Sequence, residues 1–193
     1  MVGIILDRRN GAEYSFTSGI DMPIPNKKEC FYILEMIKSG LINFTYTHPW
    51  AEKIIGEVDV APWWVCDLAS KSYQGDLEKA LREYIYSGSI EPVPPNIERF
   101  HLACLWLRYE RREHSWATFL LTAGMHLDGA NGGWNCETPF HYLNMHAAAY
   151  FSVDSELETK KRYLADQDLL PWIELAKHKF EPFLKLRRTN KPA

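Results

Sequence analysis

The longest apolar run in the chain lies near its middle and predicts a helix that is surrounded by protein. Leu102 to Leu107 is apolar without a break, so at helical spacing an apolar side chain points in nearly every direction. Pro94 and Pro95 precede the segment, as prolines do at helix starts. Charged residues return only from Arg108 onward. The pattern predicts a central helix over 96–113 with neighbours on several sides.

On both sides of this segment, apolar residues recur every three or four positions, which is the spacing of amphipathic helices. Asn26 is predicted to cap the first of them and Ser39-Gly40 to end it. Thr47 is predicted to cap a short second helix that Gly56 ends. Further helix starts are predicted at Ala61-Pro62, Gly75-Asp76, Ser115, Thr138-Pro139, Asp154 or Ser155, and Asp168, with Pro182 kinking or ending the last helix.

Short turns between these helices favour antiparallel neighbours. The predicted fold class is therefore mainly α, as an irregular bundle or a layered array of antiparallel helical hairpins. We expect one domain over 1–193, with an N-terminal arm or hairpin over 1–25, a helical core over 26–186 and a disordered basic tail over 187–193.

The N-terminal segment is the one place where strands are predicted. Asn10-Gly11 lies between two apolar runs in residues 3–17, and this dipeptide favours a two-residue β-hairpin turn. Because a lone hairpin is only marginally stable in water, a loose N-terminal arm is the alternative.

Composition narrows the class of protein. The chain is 46% hydrophobic and 13% aromatic, and its net charge of -3 argues against direct binding to nucleic acid by the chain as a whole. Cys30, Cys66, Cys104 and Cys136 form no CxxC pair and are expected to be free thiols, mostly buried, in a reducing compartment. No signal peptide and no apolar run of membrane-spanning length is found. We expect a cytoplasmic protein without a membrane partner.

A group of histidines near a glycine-rich stretch is the candidate for metal chemistry. Residues His126, Asp128, His141 and His146 are ligand types that zinc accepts, and a metal-dependent hydrolase that uses them is the alternative function. Against it, His141 and His146 are five residues apart and point about 140° apart on an ideal helix. Because no HExxH or CxxC motif occurs, we expect no metal and no cofactor.

Nucleophilic catalysis finds no signature in the sequence. The sequence offers two cysteine–histidine pairs, Cys104 with His101 and Cys136 with His141. Neither is accompanied by a turn or motif that marks an activated thiolate. We therefore predict no catalytic residue and a protein that is not an enzyme.

An excess of acidic residues in the first half of the chain indicates a binding surface. Residues 51–100 contain nine acidic residues against five basic ones. Aromatic residues are interspersed with them, namely Trp50, Trp63, Tyr73, Tyr84 and Tyr86. Such a face suits a basic protein partner, because opposite charges steer the encounter and aromatic side chains anchor it. The alternative is an ordinary solvated face whose aromatics belong to the core.

Two sets of residues are the candidate partner contacts. The first consists of acidic side chains: Glu57, Asp59, Asp67, Asp76, Glu78 and Glu83. The second is a predicted loop from Asp128 to Trp134, including Asn131, because loops on a rigid scaffold often carry recognition.

The first half of the chain also resembles a known family. The segments concerned are Phe31-x-x-Leu34, Ser39-Gly40-Leu41-Ile42, Pro62-Trp63-Trp64-Val65-x-x-Leu68-Ala69-Ser70 and Asp76-Leu77-x-x-x-Leu81. Over about residues 28–121, this pattern resembles an uncharacterised bacterial family of small helical proteins found with polymorphic toxins and contact-dependent growth inhibition.

The resemblance implies a cytoplasmic immunity-type protein that neutralises a cognate toxin domain by covering its active or substrate site. A basic nuclease is one candidate for that toxin. The matching residues pack helices and carry no catalytic or binding role with them. A non-catalytic adaptor subunit with several partners is the remaining alternative.

Overall fold

The computed structural model describes residues 24–131, 137–149, 154–164 and 169–189. Within these ranges the secondary structure is helical and contains no strand, which confirms the predicted mainly α fold class of packed helices. The helices are α1 (Lys27–Lys38), α2 (Phe44–Glu57), α3 (Trp63–Ser70), α4 (Gln74–Ile85), α5 (Ile97–Glu110), α6 (Trp116–Asn131), α7 (Glu137–Ala149), α8 (Asp154–Tyr163) and α9 (Leu170–Thr189).

The chain divides into two compact units. Unit 1 comprises the residues up to Pro95 together with those from Phe180 onward, and unit 2 comprises Asn96–Lys179. The prediction of a single domain over 1–193 stays a prediction. None of the helices in the described residues is both long and apolar enough to cross a bilayer.

Unit 1 is built around buried aromatic side chains. In it α1 packs on α4, and α3 packs on both α2 and α4. Trp64 is 1% exposed and stacks on Tyr84 with ring centroids 4.9 Å apart. Trp50 of α2 stacks on Phe183 of α9 at 5.1 Å. These contacts fix α3 and α4 side by side, and the two helices frame the candidate site.

Unit 2 is built around the predicted central helix. Ile97 and every residue from Phe100 to Leu107 are buried in α5, which confirms the expectation of neighbours on several sides. α6 packs on both α5 and α7. Phe119 of α6 is fully buried and contacts an aromatic cluster formed by Trp106, Tyr109, Trp116 and Tyr142.

Several helix ends are confirmed because their signals are local. The side chain of Asn26 accepts a hydrogen bond from the backbone N–H of Glu29 at 2.9 Å. Ser39 is the C-cap of α1, and Gly40 follows with φ at 73°, which glycine adopts without steric cost. Ser115 Oγ accepts from the backbone N–H of Thr118 at 3.1 Å and so caps α6.

The predicted cap at Thr47 is wrong. Asn43 caps α2 one turn earlier, because its side chain accepts from the backbone N–H of Thr45 at 2.9 Å. Thr47 is fully buried inside the helix, and Gly56 also lies inside it rather than ending it. Pro49, in the second turn, is accommodated within α2.

Other predicted boundaries shift in the same way. Ala61 and Pro62 do not belong to α3, since the helix begins at Trp63 and Pro62 is its N-cap residue. Gly75 and Asp76 lie in the first turn of α4, which begins at Gln74. Thr138 and Pro139 lie inside α7.

The C-terminal predictions also need correction. Pro182 lies inside α9 and does not end it, and the helix continues to Thr189, so residues 187–189 of the predicted disordered tail are helical. Arg187 donates a hydrogen bond to the hydroxyl of Tyr46 and lies 4.3 Å from the centre of its ring. This contact of helix α9 with α2 supplies order that the basic composition does not indicate.

Some predictions fall outside the described residues: the hairpin over 3–17, Cys136, the cap at Asp168 and the tail from 190. Of the remaining cysteines, Cys30 and Cys104 are buried and form no disulfide with another described residue, as expected. Cys66 is free but exposed, because it lies on the outer side of α3.

Candidate functional site

The candidate site is a groove between α3 and α4 in unit 1. Its cavity volume is ≈ 200 Å³ and it opens to solvent. The lining residues are Asp67 and Lys71 from α3 and its C-cap, and Asp76, Lys79, Ala80 and Glu83 from α4. We call this cavity the α3–α4 groove.

The helical repeat explains why these side chains line one groove. Leu77, Leu81 and Ile85 form the buried stripe of α4. Asp76 and Glu83 are seven positions apart, which is close to two helical turns, so both lie along one edge of that stripe. On α3, burial of Leu68 next to Asp67 turns this carboxylate toward the same space.

The groove carries mixed charge with an acidic excess. Three carboxylates and two ammonium groups line it. Lys79 Nζ lies 3.9 Å from Glu83 Oε1, and both side chains are well exposed. An exposed ion pair of this kind stabilises a fold by about 0–1 kcal/mol, so it rearranges at little cost when another charge arrives.

The structure brings together only part of the predicted acidic set. Glu57, at the end of α2, pairs with Lys53 at 3.6 Å, and Asp59 is exposed in the connection that follows. Glu78 accepts a hydrogen bond from Gln74 and lies about 200° around α4 from Asp76. These three carboxylates do not line the α3–α4 groove.

The aromatic residues near the site divide between core and surface. Trp50 and Trp64 are buried, and Tyr84 stacks on Trp64, so these side chains belong to the core. Tyr73 is 72% exposed directly before α4, three residues from Asp76, and Tyr86 is 52% exposed beyond its end. Tyr73 and Tyr86 are therefore the exposed aromatic side chains of this set, one at each end of α4.

The histidines do not lie where the hypothesis of a metal site requires them. The ring of His126 stacks on that of His101, with centroids 3.6 Å apart and planes 3° from parallel. His141 contacts Tyr142 edge-on at 6.0 Å, and His146 lies in the last turn of α7. No three of His126, Asp128, His141 and His146, all of them described, offer ligand atoms within 4.8 Å of one another.

The pairing of His101 with His126 was not found from the sequence. His101 is 3% exposed in the middle of the apolar run of α5. A polar ring within an apolar run is a sequence signal that another polar group lies nearby, because buried polar groups need a partner. Nothing in the sequence indicates which residue of another helix supplies that partner.

The predicted recognition loop is partly helical. Asp128 is exposed near the end of α6, and Asn131 is the last residue of that helix, so the expectation of a loop starting at Asp128 is corrected. α6 continues because the apolar periodicity of its preceding turns holds it against α5 and α7. Trp134 lies outside the described residues.

Cys30, His114 and Lys161, none of which lines the groove, have a shifted pKa. Burial raises the pKa of the Cys30 thiol well above its usual range, and the neighbouring Glu29 adds to this effect, so the thiol is held in its unreactive form. Burial and then Arg108 lower the pKa of His114. Burial opposes the charge on Lys161, but hydrogen bonds with Glu158 and Tyr109 outweigh it and raise the pKa.

No family model, no curated protein and no solved structure matches this chain.

Proposed function

We propose that this chain is a bacterial immunity-type protein that binds a cognate toxin domain and neutralises it by occlusion. The proposal rests chiefly on one observation: Asp67, Asp76 and Glu83 converge on an open groove of ≈ 200 Å³. Carboxylates from two consecutive helices are brought to one recessed place on a scaffold whose interior is aromatic. The resemblance of residues 28–121 to an immunity-associated family supports the same class.

The charge of the groove suggests the chemistry of the partner. A carboxylate-lined recess accepts a lysine or arginine side chain, and a domain that binds nucleic acid presents such side chains where phosphates dock. A basic nuclease covered at this surface loses access to its substrate without any chemical step on either protein. Such a partner acts in the cytoplasm, where we place the immunity protein as well.

Tyr73 gives the proposed interface an apolar anchor. Charge pairs at an interface mainly govern the rate of encounter and the choice of partner, whereas buried aromatic side chains carry much of the affinity. The ring of Tyr73 is 72% exposed just before the first turn of α4 and loses its contact with water when a partner covers α3 and α4. Removal of this ring is therefore expected to speed dissociation, and removal of the carboxylates to slow association.

The direct test sequences the genes next to this one and takes a toxin domain encoded there as the partner. The two proteins are co-expressed in a host that the toxin kills, and the dissociation constant is measured with purified proteins. We expect the wild-type chain to restore growth. The variant Asp67→Asn/Asp76→Asn/Glu83→Gln is expected to lose rescue and to bind about 100-fold more weakly, since charge pairs at interfaces couple by several kcal/mol.

A matched control removes the same number of charges elsewhere. Glu52→Gln/Glu110→Gln/Glu156→Gln changes three exposed carboxylates outside the groove and should rescue growth like the wild type. Equal binding by the two triple variants would show that the groove is not the surface that binds the toxin domain. Absence of a toxin domain next to the gene, together with no protection by the chain, would remove the immunity function itself.

A further inference from the structure

The outer face of the α6–α7 pair in unit 2 is apolar and exposed. Met125 is 64% exposed, Phe140 is 60% exposed and Leu121 is 38% exposed. Ala147 and Ala148 are also exposed, beside the neutral polar side chains of Thr118 and Asn144. We call this surface the α6–α7 face.

The contact between the two helices places these side chains on the same side. Gly124 faces Leu143 and Pro139 so closely that a Cβ at this position would lie 2.8 Å from Leu143 side-chain atoms. Met125 follows Gly124, and Phe140 follows Pro139, by one residue or about 100° of helical rotation. Since the helices run antiparallel, the same rotation from their line of contact turns both side chains outward on one face.

This face differs from an ordinary solvated helix surface. Solvated faces of amphipathic helices carry mostly charged residues. α6 and α7 contain no lysine or arginine, and Asp128 and His141 are the titratable side chains on the outer face among the described residues. An exposed apolar patch with so few charged groups marks a surface that is covered by a partner.

We propose that the α6–α7 face is covered by the same face of a second copy of this chain, which forms a symmetric dimer. The neutrality of this surface favours a second copy, because a basic partner such as the one proposed for the groove would form almost no charge pairs with it. Two copies of a chain with net charge -3 repel in general, and they meet without opposing like charges where the surface is nearly uncharged. Two helical pairs face to face then pack as four helices.

The size of the face sets the expected affinity. Helices of 16 and 13 residues are about 24 Å and about 20 Å long. With two helices about 10 Å apart, the flat footprint is roughly 400–500 Å², and corrugation by side chains brings the accessible area toward the roughly 800 Å² per partner of a standard interface. We therefore expect a weak dimer whose population depends on concentration. This inference does not depend on toxin binding.

Sedimentation velocity of the full chain from about 1 to about 300 µM is the test, because a weak dimer grows with concentration by mass action. The wild type is expected to shift from monomer to dimer across this range. Met125→Glu/Phe140→Glu places charges at the centre of the face and should weaken the dimer at least about tenfold. Circular dichroism confirms that this variant keeps its helices.

The control variant, Ile90→Glu/Tyr163→Glu, adds the same charge at exposed apolar residues outside the face and should dimerise like the wild type. A wild-type chain that stays monomeric over the whole range would overturn the proposal. Dimerisation unaffected by Met125→Glu/Phe140→Glu would place the interface elsewhere and would overturn it as well. A monomeric chain that pellets with phospholipid vesicles would assign the face to a lipid surface instead.

Discussion

Two helix pairs in this protein, one in each unit, are built in opposite ways. Between α3 and α4 a groove remains, and charged side chains line it. Between α6 and α7 the space at Gly124 is filled, because a Cβ there would lie 2.8 Å from the Leu143 side chain and 3.3 Å from the carbonyl oxygen of Pro139. The first pair is open and charged, whereas the second is closed and presents an apolar outer face.

This difference shows how one fold class provides two kinds of surface. A recess between helices admits a single long side chain of a partner and selects it by charge. A closed pair offers no recess, so it recognises a partner only through the shape and polarity of its outer face. The side chains between and around the two helices decide what each pair can bind.

The largest effect is expected from the core under the open pair. Trp64→Ala removes a side chain that is 1% exposed and stacked on Tyr84, and it should lower the free energy of unfolding by about 3–5 kcal/mol because it leaves a large cavity. Urea denaturation followed by circular dichroism measures this. Trp63→Ala, at the half-buried neighbour, is the control and should cost clearly less. Equal losses would mean that Trp64 does not hold the open pair together.

The closed pair is tested at its glycine. Gly124→Ala places a methyl group 2.8 Å from the side chain of Leu143 and should destabilise the fold by about 1–3 kcal/mol, as overpacking does. Gly129→Ala, in the same helix, meets nothing within 4 Å and should stabilise by up to about 1 kcal/mol through helix propensity. Thermal unfolding of the two variants compares them directly. A stabilising Gly124→Ala would show that α6 and α7 are not locked.

A smaller effect is expected from a buried lysine in unit 1. Lys27 is 8% exposed, and its ammonium group donates to the carbonyl oxygens of Ser87 and, at 2.7 Å, Ser89. Lys27→Met leaves these carbonyls without their donor in the segment after α4 and should cost about 1 kcal/mol. Lys28→Met, at an exposed position, should stay within about 0.5 kcal/mol of the wild type. Urea denaturation distinguishes the two, and equal values would contradict the role of Lys27.

The smallest effect concerns pH and belongs to unit 2. Because burial, and then Arg108, lower the pKa of His114 in the folded state, protonation favours the unfolded chain. Its contribution to stability is complete above the ordinary histidine value of 6.5 and is lost as the pH falls through the folded-state pKa. His114→Gln should therefore flatten the acid side of the curve of unfolding free energy against pH. His178→Gln, at an exposed position, should leave it unchanged.

The candidate site was only partly predictable. Three acidic side chains named from the sequence, Asp67, Asp76 and Glu83, do line one groove. Charge counting could not separate them from Glu57 or Glu78, because it ignores the direction in which a helix turns each residue. The sequence also could not show that Tyr73 is exposed and Trp64 buried, since an aromatic residue occurs both in cores and at interfaces.

The sequence by itself determined the helices whose signals are short-range: the cap at Asn26, the end at Ser39-Gly40 and the buried run from Leu102 to Leu107. Each of these depends on residues within one or two turns, so local backbone chemistry decides them. Tertiary structure alone decided the stacking of His101 on His126 and the continuation of α9 past Pro182. Both depend on which helix face meets which neighbour, and that choice is made by packing between segments far apart in the chain.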